Sequence, residues 1–157
     1  MKCRERMEQY LRENSVGFEV MAHSQAFTMQ EVAAALHVPG DQVAKVVIVC
    51  ADDKKAMLVL PAPYRLNTEK ARALLGAKKA RLAKEDEFAD LFPDCATGAM
   101  PPFGNLWNLP VYAASALGDN KLIAFNAGTH RQVVQLAYED FLRLVKPQVL
   151  DFATVPA

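Results

Sequence analysis

The sequence predicts a mixed α+β fold, and three observations carry that prediction. Apolar runs with strand character, such as Val43–Cys50 and Ala56–Leu60, are separated by a charged turn, Asp52-Asp53-Lys54-Lys55. Segments with helical spacing are bounded by capping and stopping residues, as at Asn67, Gly76 and Pro147. Strands and helices interleave without a regular βαβ rhythm, and no repeat, low-complexity stretch or internal linker interrupts them. A chain of 157 residues is long enough for one core and short for two, so residues 1–157 read as a single domain.

The elements follow in order. Met7, Tyr10 and Leu11 fall on one face of a helix over Cys3–Asn14. Val16, Phe18 and Val20 alternate as in a strand. Thr28-Met29-Gln30-Glu31 has the form of a capping box, opening a helix that runs through Leu36 and stops before Pro39-Gly40. Val43–Cys50 and Ala56–Leu60 form a hairpin. Asn67 caps a helix through Leu75, which Gly76 ends. A short strand near Ala80–Ala83 and a helix over Glu85–Leu91 come next. Strands are expected at Val111–Ala113, Leu122–Phe125 and Val133–Leu136, and a last helix at Tyr138–Val145.

Composition narrows the function. Hydrophobic residues make up 52% and charged residues 23%, as in ordinary soluble proteins. The first fourteen residues are too charged for a signal peptide, and the longest apolar run, Val46–Ala51, is far too short to cross a bilayer. Cys3, Cys50 and Cys95 lie far apart without metal-ligand spacing. They argue against a metal site and a disulfide framework and for a reducing cytoplasm, with Cys50 a small core residue. Eighteen basic residues balance eighteen acidic ones, so the chain is not an electrostatic coat for nucleic acid. Between Arg65 and Lys84, however, seven basic residues face only Glu69, a local charge of +6. Such a segment is either a solvated face or a small docking surface for a phosphate backbone, with Lys70, Arg72, Lys78, Lys79 and Arg81 as its contacts.

The residues able to carry chemistry are few. Gly98-Ala99-Met100-Pro101-Pro102-Phe103-Gly104 sets two fixed prolines between two permissive glycines. This makes a rigid loop able to aim backbone N–H groups at a ligand between apolar side chains. Lys45 opens a buried strand; it either snorkels to the surface or points into a cleft, where it could hold a phosphate or polarise a carbonyl. His130, after Gly128-Thr129, is either solvated or a ligand anchor or acid–base group, and His23, before the helix expected from Thr28, is either structural or functional. No nucleophile elbow, P-loop, dinucleotide fingerprint or HExxH pattern is present. What remains is a site of backbone amides, a lysine and a histidine, with no cofactor expected.

Five motifs come in a fixed order: His23-Ser24-Gln25-Ala26-Phe27-Thr28, Ala44-Lys45, Leu74-Leu75-Gly76-Ala77-Lys78-Lys79, Gly98–Gly104, and Phe125-Asn126-Ala127-Gly128. Together they resemble the YbaK/prolyl-tRNA synthetase-associated family of editing domains, over roughly residues 5 to 150. The resemblance implies a curved, barrel-like mixed sheet and hydrolysis of the ester joining a wrong amino acid to the 3′ end of a tRNA in the cytoplasm. On that resemblance Lys45, Gly98 and His130 are the catalytic set. Lys45 engages the terminal phosphate and ester, Gly98 helps place the attacking water and oxyanion, and His130 positions substrate. His23, Phe27, Thr28, Met100, Pro101, Pro102, Phe103, Gly104, Asn126, Gly128 and Thr129 bind substrate, with Met100, Pro101, Phe103 and Phe27 as pocket walls.

The implied partners are the acceptor end of a tRNA and an aminoacyl-tRNA synthetase. An aminoacyl ester is already activated, so positioning and oxyanion stabilisation suffice for hydrolysis, and pocket size sets selectivity. The chain departs from the family in two places. Val111-Tyr112-Ala113-Ala114-Ser115 lacks the aspartate common in relatives, and Val46-Val47-Ile48 follows the lysine where alanine-specific relatives have Asn-Leu-Phe. The substrate expected is a small residue such as alanine or serine on proline tRNA. The alternatives are a module that binds a nucleic-acid end without cleaving it, and a sensor of a free amino acid or nucleotide.

Overall fold

A computed structural model describes residues 2–22 and 29–155. The chain begins with α1 (Cys3–Glu13), which buries Cys3, Met7 and Leu11 at four-residue spacing and carries Glu8 between Arg4 and Arg12. Then come β1 (Glu19–Ala22) and α2 (Met29–Leu36), which ends at His37 in the left-handed region. The hairpin β2 (Ala44–Ala51) and β3 (Lys54–Pro61) turns at Asp52, also left-handed. After β4 (Arg65–Leu66), the Asn67 side chain caps α3 (Thr68–Leu74) by accepting from Lys70 N–H at 3.0 Å. Next come β5 (Ala80–Leu82) and α4 (Glu85–Phe88), which continues as a 3-10 turn over Ala89–Leu91. A long loop leads to β6 (Val111–Ala114), β7 (Leu122–Asn126) and β8 (Gln132–Ala137). The chain closes with α5 (Tyr138–Val145), β9 (Gln148–Leu150) and β10 (Ala153–Thr154).

The strands form a five-stranded sheet in the order β5-β2-β3-β6-β9, a three-stranded sheet β1-β8-β7, and a two-stranded ribbon β10-β4. The β3–β6 and β6–β9 pairs are parallel and the other pairings within these sheets are antiparallel. The main core lies between the two larger sheets and is centred on Phe103. Its ring meets Phe125 at 5.6 Å, Phe141 at 6.2 Å and Tyr10 at 6.3 Å between centroids.

Most expected elements are present, and the differences have local causes. The strand expected from Val16 begins only at Glu19, and Val20 is 41% exposed because β1 is the edge strand of its sheet. The barrel-like closure is not formed among the described residues. β3 takes one whole edge of β2, β5 takes Val49–Ala51 on the other, and only the bridge Val43–Ala124 joins the two larger sheets. β4, β9 and β10 were not expected, being two or three residues long and ordered by partners distant in sequence. The capping box at Thr28 lies outside the described residues.

Candidate active site

Two loops define one corner of the molecule. Gly98 (φ +85°) and Gly128 (φ +89°) both adopt the left-handed backbone that glycine tolerates. The loops are bonded to each other: Gly128 N–H donates to Ala99 C=O and Ala96 N–H to Gly128 C=O, both at 2.9 Å. His130 Nε2 donates to Thr97 C=O at 3.0 Å, with its Cε1 3.7 Å from where a Cβ on Gly98 would lie. His130 thus braces the Gly98 loop. Pro101 and Pro102 are buried, and Met100 belongs to the main core cluster rather than lining a pocket. Phe103 is core rather than a pocket wall, since its ring is fully buried among three other aromatic rings. Gly104 is required for close approach, because a Cβ there would meet Val111 Cγ2 at 2.9 Å.

Behind Gly128 lies a feature that the cysteine spacing argues against. Cys3 and Cys95 are joined by a disulfide across 92 residues, with Cα atoms 5.0 Å apart. It ties the start of α1 to the entry of the Gly98 loop. A Cβ on Gly128 would lie 2.8 Å from Cys3 Sγ, so only glycine lets the second loop pass. Cys50 is free and buried, as expected.

Lys45 and Asn126 reach this corner from the two larger sheets. The Val43–Ala124 bridge is parallel. Side chains alternate along a strand, so Lys45 and Asn126, each two residues beyond the bridge, lie on the same face of their neighbouring strands. Val43 and Ala124 themselves pack in one small cluster with Val32 and Val133. Lys45 is half-buried and pairs with no carboxylate among the described residues. Burial, and then the nearby Arg65 charge, hold its ammonium below the ordinary lysine pKa. Asn126 is 5% exposed, and its Oδ1 is buried without a hydrogen-bond partner among the described residues. Asn126 then leads directly into Gly128. Gly98, Gly128, Thr129 and His130 therefore lie together in two bonded loops, Asn126 leads into them, and Lys45 stands on the strand bridged to β7; His23, Phe27 and Thr28 lie outside the described residues.

The basic residues lie elsewhere, beside a groove of about 980 Å³ lined by Cys50, Asp52, Arg72, Lys78, Lys79 and Arg81. Three of the five expected nucleic-acid contacts are paired: Lys70 with Asp151 at 3.3 Å, Arg72 with Glu69, and Arg81 with Glu87 at 2.7 Å. Arg81 holds the Glu87 carboxyl down at about 2. Lys78 and Lys79 have exposed side chains, and their backbone N–H groups donate to Asp52. Arg65, counted in the sequence only as part of the basic run, acts on Lys45; no local pattern pointed to that contact.

No cluster of metal-ligating residues is found among the described residues, and no helix among them is long and apolar enough to cross a membrane. A buried amide oxygen, a half-buried ammonium and two glycine loops can orient a small polar ligand and stabilise developing negative charge.

The sequence profile of the aminoacyl-tRNA editing domain matches residues 23–144. A proline–tRNA ligase of Shouchella clausii (strain KSM-K16) is 32% identical over 138 residues, covering 82% of this chain and 24% of the ligase. The multifunctional Ser/Thr-tRNA deacylase ProXp-y of Escherichia coli (strain K12) is 30% identical over 101 residues, 64% of this chain and 60% of that protein. The chain thus spans less than two-thirds of either relative. A solved structure described as a candidate trans-editing enzyme for prolyl tRNA synthetase shares the fold, with a TM-score of 0.85 over 98% of both chains at 24% identity.

Proposed function

The chain belongs to the aminoacyl-tRNA editing domain family, and we propose that it is a trans-editing deacylase. Residues 1–157 act as one editing domain that hydrolyses the ester between a small amino acid, alanine or serine, and the 3′ end of a proline tRNA. It works in the cytoplasm beside a synthetase. The observation that carries this reading is the buried Asn126, leading into two bonded glycine loops, on the strand bridged to the one that bears Lys45. No activated serine or thiol is needed, because the ester is already reactive and the chief demand is orientation.

In the reaction, water oxygen bonds to the ester carbonyl carbon and the carbonyl oxygen takes up negative charge. Lys45 ammonium and the Gly98 N–H, for which the described residues offer no acceptor, stabilise that oxyanion. The tetrahedral intermediate collapses with cleavage of the carbon–oxygen bond to ribose. The proton lost by water goes to the departing ribose oxygen, leaving a free amino acid and an uncharged tRNA. Pro101 and Pro102 limit the pocket, and Lys78 and Lys79 meet the tRNA backbone. His130 acts by holding the Gly98 loop.

The test is release of labelled amino acid from tRNAs mischarged with alanine, serine, threonine or cysteine, for wild type and Lys45→Ala side by side. Cleavage that depends on Lys45 is the expected result. Binding of tRNA without cleavage of any substrate would replace this reading with that of a binding module.

A further inference from the structure

The carboxamide oxygen of Asn126, at the end of β7, is buried and accepts from nothing in the described structure. Buried acceptors are nearly always satisfied, so an orphan at a candidate site marks the place of a ligand atom. Lys45, on the same face of the strand bridged to β7, is the obvious donor, yet no hydrogen bond joins the two side chains among the described residues. An orphan acceptor near a half-buried ammonium calls for a group that both can bond at once.

That requirement selects a chemistry. A phosphate or carboxylate oxygen would accept from Lys45 but offers no proton to Asn126 Oδ1. An ammonium would donate to Oδ1 but repel Lys45. A hydroxyl meets both needs, giving its proton to Oδ1 and a lone pair to the lysine Nζ–H. We propose that Asn126 and Lys45 together bind one hydroxyl group, with Asn126 as its acceptor. In the editing reaction three sources carry this chemistry: the attacking water, the free hydroxyl of the terminal ribose, and the side chain of a misattached serine or threonine. The identification of these sources rests on the deacylase reading; the hydroxyl preference itself does not.

The experiment compares wild type, Asn126→Ala and Asn126→Asp, which keeps an acceptor oxygen, after thermal melts verify folding. Substrates are alanyl- and seryl-tRNA and alanyl-tRNA ending in 2′-deoxyadenosine. Asn126→Ala is expected to lose about tenfold in kcat/KM, the worth of one hydrogen bond, with partial recovery in Asn126→Asp. If the hydroxyl is the ribose's, the 2′-deoxy substrate is as slow for wild type as for Asn126→Ala. If it is serine's, the variant loses its preference for seryl- over alanyl-tRNA. If it is water, kcat falls equally on all three substrates with KM unchanged. A folded Asn126→Ala with wild-type kcat/KM on every substrate overturns the proposal.

Should wild type cleave none of them, the deacylase reading falls and binding decides the hydroxyl separately. The probes are then 3′-alanylamino-3′-deoxyadenosine and its 2′-deoxy form, measured by calorimetry. A preference for the 2′-hydroxyl that disappears in Asn126→Ala supports the pair, and a preference that is absent or survives the substitution overturns it.

Discussion

The glycine-loop corner and the basic groove use polar groups in opposite ways. In the groove Arg72 and Arg81, and outside it Lys70, each have a carboxylate partner, and the groups are largely open to water. Such pairs are screened and exchange readily with solvent. At the corner, among the described residues, Asn126 Oδ1 is buried without a partner and Lys45 is half-buried without a carboxylate. Electrostatic interactions strengthen as water is excluded, so the corner holds fewer charges but gives each more leverage over a bound ligand. The sequence, in which the basic run is conspicuous and Lys45 stands alone, suggests the reverse weighting.

The contrast can be broken most directly at Lys45. Lys45→Ala should lower kcat for ester hydrolysis by roughly 100- to 1,000-fold, the range seen for loss of one preorganised oxyanion donor. Its melting temperature should stay close to wild type, because removing a desolvated charge without a carboxylate partner also removes a cost. Single-turnover kinetics on mischarged tRNA check the first expectation and calorimetry the second. Full turnover in the variant would show that the corner is not the site.

The disulfide tests whether the corner depends on its support. Cys3–Cys95 closes a loop of about ninety residues and lies directly behind Gly128. The double variant Cys3→Ser/Cys95→Ser should lose about 2–4 kcal/mol of stability in urea unfolding, and treatment of wild type with a dithiol should reproduce it. Wild-type unfolding midpoints under reducing conditions would mean that the loops hold together without the tie. Loop-to-loop bonds such as Gly128 N–H to Ala99 C=O would then suffice.

How much of this was legible in the sequence depended on distance along the chain. The β2–β3 hairpin, the Asn67 cap and α5 all rest on contacts within a few residues, and the pattern of each was readable. β9 and β10 rest on pairing with β6 and β4, and nothing in Gln148-Val149-Leu150 announces it. The same limit hid the disulfide, since spacing says nothing of two cysteines brought together by α1 and the Gly98 loop. Lys45, Gly98 and Asn126 could each be named, but the parallel bridge that puts Lys45 beside Asn126 could not. Likewise the +6 run could be counted, while Asp151 and Glu87 arrive from outside its core.

In the groove the effects should be smaller and salt-dependent. Lys78→Glu or Lys79→Glu should weaken tRNA binding and flatten the slope of log affinity against log salt by about 0.9 for each phosphate that is no longer neutralised. Arg81→Gln should change that slope less, because Glu87 already holds its guanidinium. Filter binding at three salt concentrations separates the cases. Equal slopes for all three variants would remove the distinction between paired and unpaired cations.

The smallest effect sharpens the comparison at the point where the two regions touch electrostatically. Arg65 sits at the start of the basic run but acts on Lys45. Burial is the larger cause of the lowered lysine pKa and Arg65 the second, so Arg65→Gln should raise that pKa without restoring the ordinary 10.5. The sign follows for both activity and stability. Hydrolysis that needs the Lys45 ammonium falls as pH rises through the folded pKa, so its alkaline limb should move upward in the variant. For stability, the folded state binds this proton less tightly than the unfolded chain does. The cost is present in full below the folded pKa and is relieved as pH climbs toward the unfolded value. Arg65→Gln should narrow that window from its lower end. A heteronuclear NMR titration of the lysine side chains, with Lys45→Ala to assign the signal, reads the shift without relying on an ester that alkali itself would cleave. An unmoved Lys45 titration would mean that burial alone sets its protonation, and that the corner is electrically isolated from the basic run.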